Sequence, residues 1–142
     1  VGGLLAGVAV HLIQLNRSQL LGRSMSPATI EKIKKLIQDD AVVTSVYDVK
    51  TEEIGAGQFR FKVEIEFDGK MIVKNYLNRK GRADVYRAFR EAADSQDDRH
   101  MEALMVAYGR ELVEALGDEV DRLEQEIYTV EPRIIHVDIE SN

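Results

Sequence analysis

Residues 132–140 have the sequence PRIIHVDIE, in which apolar and polar side chains alternate. A period of two predicts a β-strand that is buried on one side. The residues that we expect on the buried side are Ile135, Val137 and Ile139. Because successive side chains of a strand point to opposite faces, His136 and Asp138 should lie together on the other face, about 7 Å apart along the backbone. The terminal strand therefore predicts two neighbouring potential metal ligands.

The composition is that of a folded domain. Of the 142 residues, 44% are hydrophobic and 31% are charged, which is typical of a globular protein of one domain with an appendage. The formal net charge of -6 argues against a nucleic-acid partner, which requires an excess of clustered Lys and Arg. The chain contains no cysteine, so any bound metal must be held by nitrogen and oxygen ligands.

The N-terminal residues 1–15 are apolar almost throughout and do not begin with Met, which indicates the interior of a longer chain. A membrane-spanning helix needs about 20 apolar residues, and this run is shorter. Arg17 and Arg23 follow it, as is typical of the cytoplasmic side of a span. We therefore expect residues 1–22 to be the end of a last transmembrane helix with its exit segment. The alternative is an amphipathic soluble helix packed on the domain.

A helix and two strands are predicted next. Ser26 can cap a helix that has Pro27 at its first position. The predicted elements are a helix at 27–37, a strand at 42–50, a turn at 55–57 and a strictly alternating strand at 59–67.

The segment that follows is predicted to return along the sheet and then to become helical. Asp68-Gly69 is a strong hairpin signal, so residues 71–77 are predicted to form an inserted strand. A short helix at 84–93 and a long amphipathic helix at 99–127 follow, the latter either continuous or divided at Gly117-Asp118. Residues 23–142 should thus form a two-layer α+β domain, with the helices over the apolar face of the sheet.

The other face of this sheet should carry His136, Asp138 and Glu64, which are our candidate metal ligands. A closed zinc site usually needs four ligands, and a second subunit of a two-fold dimer could supply the missing ones. The alternative is a solvated strand face on which His and Asp alternate with core residues. Neither a serine elbow nor a glycine-rich phosphate loop is present between a strand and a helix, so we do not expect an enzyme.

Several motifs together resemble the cation diffusion facilitators (solute carrier family 30). The exit segment LLGRS (20–24), the helix at 27–37, VYDVK (46–50), the strand at 59–67 and HVD (136–138) match the family's C-terminal domain in order. The stretches that resemble the zinc transporter 9 group are FKVE (61–64), FDG (67–69), NYL (75–77) and LGDEVDRLE (116–124).

This resemblance implies a fold and a function. The fold would be a ferredoxin-like α-β-β-α-β domain, here with an inserted strand and helix and preceded by the end of a transmembrane helix. The family transports divalent cations, usually zinc in exchange for protons, as homodimers whose C-terminal domains meet and in some members bind zinc. The domain would lie on the cytoplasmic or mitochondrial matrix side of its membrane, and the transport site would lie in membrane helices outside these residues.

The resemblance also bears on the candidate ligands. His136 and Asp138 fall on a His-x-Asp metal-binding pair of the zinc-binding members, whereas Tyr47 and Glu64 stand at or near positions where such members have histidines. We therefore expect a domain for dimerisation, with zinc sensing as a further role. The alternative is a free-standing ferredoxin-like module that binds a metal or another protein.

Overall fold

The structure, a computed structural model, describes residues 2–20 and 24–142, with the backbone alone for residues 15–20. The helices are α1 (Gly2–Leu20), α2 (Pro27–Gln38), α3 (Gly69–Lys80), α4 (Arg82–Asp94) and α5 (Asp98–Val130), and the strands are β1 (Val43–Gly55), β2 (Gln58–Phe67) and β3 (Ile134–Ser141). The predicted domain boundary between residues 22 and 23, and part of the exit motif, lie outside the described residues.

The three strands form one mixed sheet in the order β1-β2-β3. β1 and β2 pair antiparallel through the turn that the sequence predicts, where Gly57 has a φ of 75°. β2 and β3 pair in parallel, so the chain between them crosses over the sheet. This is the α+β, ferredoxin-like fold that was expected.

The core lies between one face of the sheet and the helices α2 and α5. Its most deeply buried side chains are Ile33, Ile37, Phe61, Val63, Ile65, Leu123 and Ile127, each with no exposed surface. The inward side chains of β2 follow the predicted alternation. Burial of this apolar set supplies the main driving force for folding.

The sequence signals at the start of α2 are confirmed. The Ser26 side chain accepts a hydrogen bond from the Thr29 backbone N–H, and Pro27 occupies the first helical turn, where no N–H is needed. Ile33 and Ile37, four residues apart, then lie on the buried face.

The predicted inserted strand at 71–77 is wrong, because these residues belong to helix α3. Asp68 does not form a hairpin turn here: its Oδ1 accepts hydrogen bonds from the backbone N–H groups of Lys70 and Met71 and thereby caps the helix. The buried residues of α3, Ile72 and Tyr76, are four apart, which is the helical spacing. The insertion between β2 and the long helix therefore consists of two helices.

One further detail differs from expectation. Ile135 does not lie on the core face: Ile134 is buried and Ile135 is 40% exposed. A register shift between the pairs Phe59/Ile134 and Arg60/His136 places one extra residue in β3 at this point, and no sequence signal marks it. The long helix α5 is continuous through Gly117, which is the undivided of the two predicted alternatives.

Helix α1 exposes apolar side chains within residues 2–14, among them Leu4 at 76%, Leu5 at 63% and Ile13 at 66%. In the part of the chain that the structure describes, α1 packs against no other element. Within the same part, none of the helices combines the length and the apolar character needed to cross a membrane.

Candidate functional site

The sheet face opposite the core carries the candidate ligands, and we call it the open face. It is formed by the side chains of β1, β2 and β3 that alternate with the buried ones: Lys50, Glu52, Arg60, Lys62, Glu64, His136, Asp138 and Glu140. The strand pairing arranges them in rows across the sheet. One row contains Glu52, Arg60 and His136, the next Lys50, Lys62 and Asp138, and a third Glu64 and Glu140.

His136 and Asp138 lie side by side on the open face, as the alternation predicts, and both are exposed. In the parallel register, Arg60 pairs with His136 and Lys62 pairs with Asp138. The Asp138 carboxylate forms an ion pair with Arg60, with 3.8 Å between Oδ2 and Nε. The two candidate ligands therefore have cations as their nearest neighbours on β2.

Glu64 is not brought next to His136. It pairs with Glu140, which lies four residues after His136 on β3. At strand spacing, Glu64 is therefore about 13 Å along the sheet from the row that contains His136. Within the described residues no three His, Asp or Glu side chains lie close enough together to hold a metal ion. Within one chain, His136, Asp138 and Glu64 therefore do not form a closed zinc site. Their role as metal ligands stays a prediction.

The residues that stand near the expected histidine positions have other contacts. Tyr47 is 48% exposed and donates a hydrogen bond from its hydroxyl to Glu66 Oε2 at 3.0 Å. This contact joins β1 to β2 at the acidic end of the open face.

Sequence reasoning missed two residues that interact with the charge of Asp138. Arg60 is one, because its position opposite β3 depends on a strand register that no local pattern encodes. Glu124 of α5 is the other: burial raises the pKa of its carboxyl, and the negative charges of Asp121 and Asp138 raise it further. Glu124 and Asp138 belong to different elements, α5 and β3, so the spacing of residues along the sequence could not have shown that they interact.

A second polar cluster surrounds Arg122 on α5. Its guanidinium donates two hydrogen bonds to Asp40 at 2.8 and 2.9 Å, one to Glu119 at 2.9 Å and one to Glu126 at 2.7 Å. Glu119, which is 7% exposed, also accepts a hydrogen bond from Asn75 of α3. The cluster therefore connects α3 and the turn after α2 to α5.

Burial and hydrogen bonding compete at Asp40. Burial raises the pKa of its carboxyl, but the hydrogen bonds from Arg122 and from the Val42 backbone N–H outweigh that effect and hold the pKa below its ordinary value of 3.8. Asp40 is thus kept ionised by Arg122.

A third contact set joins α3 to α5. The Tyr76 hydroxyl donates a hydrogen bond to Glu111 Oε2 at 2.5 Å, and Lys80 pairs with the other oxygen of the same carboxylate at 3.1 Å. Burial and this hydrogen bond raise the pKa of Tyr76 to about 12, so its hydroxyl stays protonated at neutral pH. The Tyr76 ring packs edge-on against Tyr108.

The fold and the open face define a ferredoxin-like α+β domain with a charged, uncovered sheet surface. No family model matches the chain. The chain is 53% identical over 142 residues to metal tolerance protein C4 of Arabidopsis thaliana, an alignment that covers 100% of this chain and 31% of that protein. It is 36% identical over 140 residues to the mitochondrial proton-coupled zinc antiporter SLC30A9 of Mus musculus and of Homo sapiens, which covers 99% of this chain and 24% of those proteins.

The chain is homologous to the C-terminal part of cation diffusion facilitators, and the resemblance inferred from its motifs is confirmed. It spans 31% or less of the length of these curated relatives. The relatives are named as a metal tolerance protein and as antiporters, and not as enzymes.

Proposed function

We propose that this chain is the C-terminal interior domain of a zinc-transporting cation diffusion facilitator, in which residues 23–142 mediate dimerisation. The observation that carries the proposal is the alignment of essentially the whole chain with proteins named as zinc antiporters. Association of two such domains would bias the membrane part between its inward-open and outward-open states, because any contact made in only one state shifts the equilibrium.

The proposal includes residues 1–22 as the end of the last transmembrane helix. Its support is the exposed apolar surface of α1, which contrasts with the charged surface of the domain. Arg17 and Arg23, which follow the apolar run, favour the cytoplasmic or matrix side for the domain.

Zinc sensing by this domain would require two copies. His136 and Asp138 provide two of the four ligands that a closed zinc site usually has, and a second copy would provide two more. Arg60 opposes zinc at this place, since its positive charge is paired with the Asp138 carboxylate that the metal would need. Dimerisation without zinc is the simpler role, and the two roles can be separated by titration.

The experiment is a calorimetric zinc titration of the metal-stripped chain, with sedimentation at both end points. For zinc sensing we expect saturable binding of one zinc per dimer that His136→Ala abolishes and that Arg60→Gln strengthens. His100→Ala, which removes an exposed histidine of α5 away from the sheet, is the matched control and should bind as the wild type does.

The outcomes separate the two roles. A dimer that forms without zinc and does not respond to it would leave dimerisation standing and remove zinc sensing. A chain that stays monomeric at all concentrations, with and without zinc, would contradict the proposed dimerisation.

A further inference from the structure

The inserted helices concentrate positive charge in an otherwise acidic chain. Residues 69–94, which span both helices, contain three acidic residues, Asp84, Glu91 and Asp94, and seven basic ones: Lys70, Lys74, Arg79, Lys80, Arg82, Arg87 and Arg90. This segment carries a formal charge of +4 within a chain of net charge -6, so the remaining residues carry -10. The asymmetry singles out α3 and α4 as a candidate surface for an anionic partner.

Six of the exposed residues of this segment form a series with a spacing of four. They are Lys70, Lys74, Asn78, Arg82, Tyr86 and Arg90, all of them exposed, and we call them the outer row. Residues four apart lie on one face of a helix. At the junction of the two helices, the Arg82 guanidinium donates hydrogen bonds of 3.2 and 2.9 Å to Asn78 Oδ1, so the row continues from α3 into α4.

The cations of the outer row differ from the other cations of the same helices. Arg79 is paired with Asp118, Lys80 with Glu111 and Arg87 with Asp84. By contrast, none of the four outer-row cations forms an ion pair with a carboxylate in the part of the chain that the structure describes. Their charge is therefore not neutralised locally and is available to an external anion.

We propose that the outer row binds the surface of an anionic phospholipid bilayer. The row places four exposed cations without a carboxylate partner on the two inserted helices, and clustered cations of this kind are attracted to anionic lipid headgroups. Tyr86, which is 44% exposed, lies between Arg82 and Arg90 and supplies an aromatic ring of the kind that is enriched at the level of lipid headgroups. This inference rests on the proposed function in one respect: α1, as a membrane helix, keeps a bilayer within reach of the domain.

A nucleic acid is the competing polyanion, and the charge distribution disfavours it. A nucleic-acid strand long enough to extend past the row would meet surfaces that carry the remaining -10. A bilayer touches only the side that faces it.

A single tryptophan can report contact at this surface, since the chain has no native Trp. In the full chain, Tyr86→Trp should show a blue shift of emission and quenching by brominated lipid with vesicles that contain phosphatidylserine, and neither effect with pure phosphatidylcholine. The reporter control is Tyr47→Trp, which places the indole on the open face and should respond to neither vesicle. The response of the Tyr86→Trp variant should disappear in high salt.

The charge requirement is tested in the Tyr86→Trp background. Replacing Lys70, Lys74, Arg82 and Arg90 by Gln should abolish the response, and each single replacement should raise the lipid concentration for half-maximal response about fivefold. The matched control replaces four exposed cations outside the row by Gln, namely Lys32, Lys35, Arg99 and Arg110, and should keep the response. Circular dichroism checks that each variant is folded.

Three results would overturn the proposal: equal responses to neutral and anionic vesicles, equal loss in both four-residue variants, or a response to single-stranded RNA without one to anionic vesicles. Failure of the proposed function has a different signature. A chain that does not associate with neutral vesicles, while the Tyr86→Trp variant still responds to anionic ones, would remove the membrane role of α1 and leave the outer row intact.

Discussion

At Arg122, three carboxylates share one guanidinium, and two of them have little exposed surface: the side chains of Asp40 and Glu119 are 14% and 10% exposed. Arg122→Gln would leave both without a cationic partner. We expect the free energy of unfolding to fall by about 2 kcal/mol, less than the roughly 3–5 kcal/mol typical of a fully buried pair because Arg122 itself is 38% exposed. Urea denaturation at pH 7 measures the change.

The control for this prediction is Arg110→Gln, which removes an exposed pair with Glu114 and should cost less than about 0.5 kcal/mol. The pH dependence provides a second test. Because the folded pKa of Asp40 is below 3.8, its contribution is present above that pH and is lost as the pH falls through the folded pKa. The difference in the free energy of unfolding between wild type and Arg122→Gln should therefore become smaller in acid. A difference that does not change with pH would contradict the role assigned to Asp40.

The candidate site could be predicted only in part at the scale of residues. The placement of His136 and Asp138 on one face follows from the period of a strand, and the structure agrees. Their neighbours do not follow from any local pattern, because Arg60 is 76 positions before His136 in the numbering and the two meet only through the parallel register of β2 and β3. The bulge at Ile135 was missed for the same reason.

At the scale of elements, the start of α3 shows how one dipeptide can serve two structures. Asp-Gly favours a hairpin turn, yet Asp also caps helices, and residues 71–77 contain apolar positions that fit either period over so short a run. The choice is made by packing: Ile72 and Tyr76 both reach the cluster on α5. The alternation predicted for β2, in contrast, extends over the nine residues 59–67 and had no competing period.

The capping role of Asp68 leads to a prediction. Asp68→Ala removes the acceptor for two backbone N–H groups of α3 and should lower the free energy of unfolding by about 1 kcal/mol. Asp68→Asn keeps a side-chain oxygen that can cap the helix, so this variant should retain most of the wild-type stability. Thermal and urea unfolding compare the two variants. Equal stability of the Ala and Asn variants would contradict the cap.

At the scale of the whole molecule, α1 and the domain behave as separate units. Because α1 packs against no other described element, deletion of residues 1–22 should leave the free energy of unfolding within about 0.5 kcal/mol of the full chain. The same deletion should turn a chain that requires detergent into one that stays dispersed without it, which light scattering can measure. A full chain that is monodisperse without detergent would favour the free-standing module instead.

The parallel pairing of β2 with β3 also determines the order in which the sheet can assemble. A two-residue turn joins β1 to β2, and hairpins of this kind form in about 1–10 μs. β3 can join only after residues 68–133 have brought it back, and closure of so long a loop is entropically costly and slow. The strand that carries His136 and Asp138 is thus the last to dock. A metal ion held there would slow the unfolding of the finished domain without accelerating its formation.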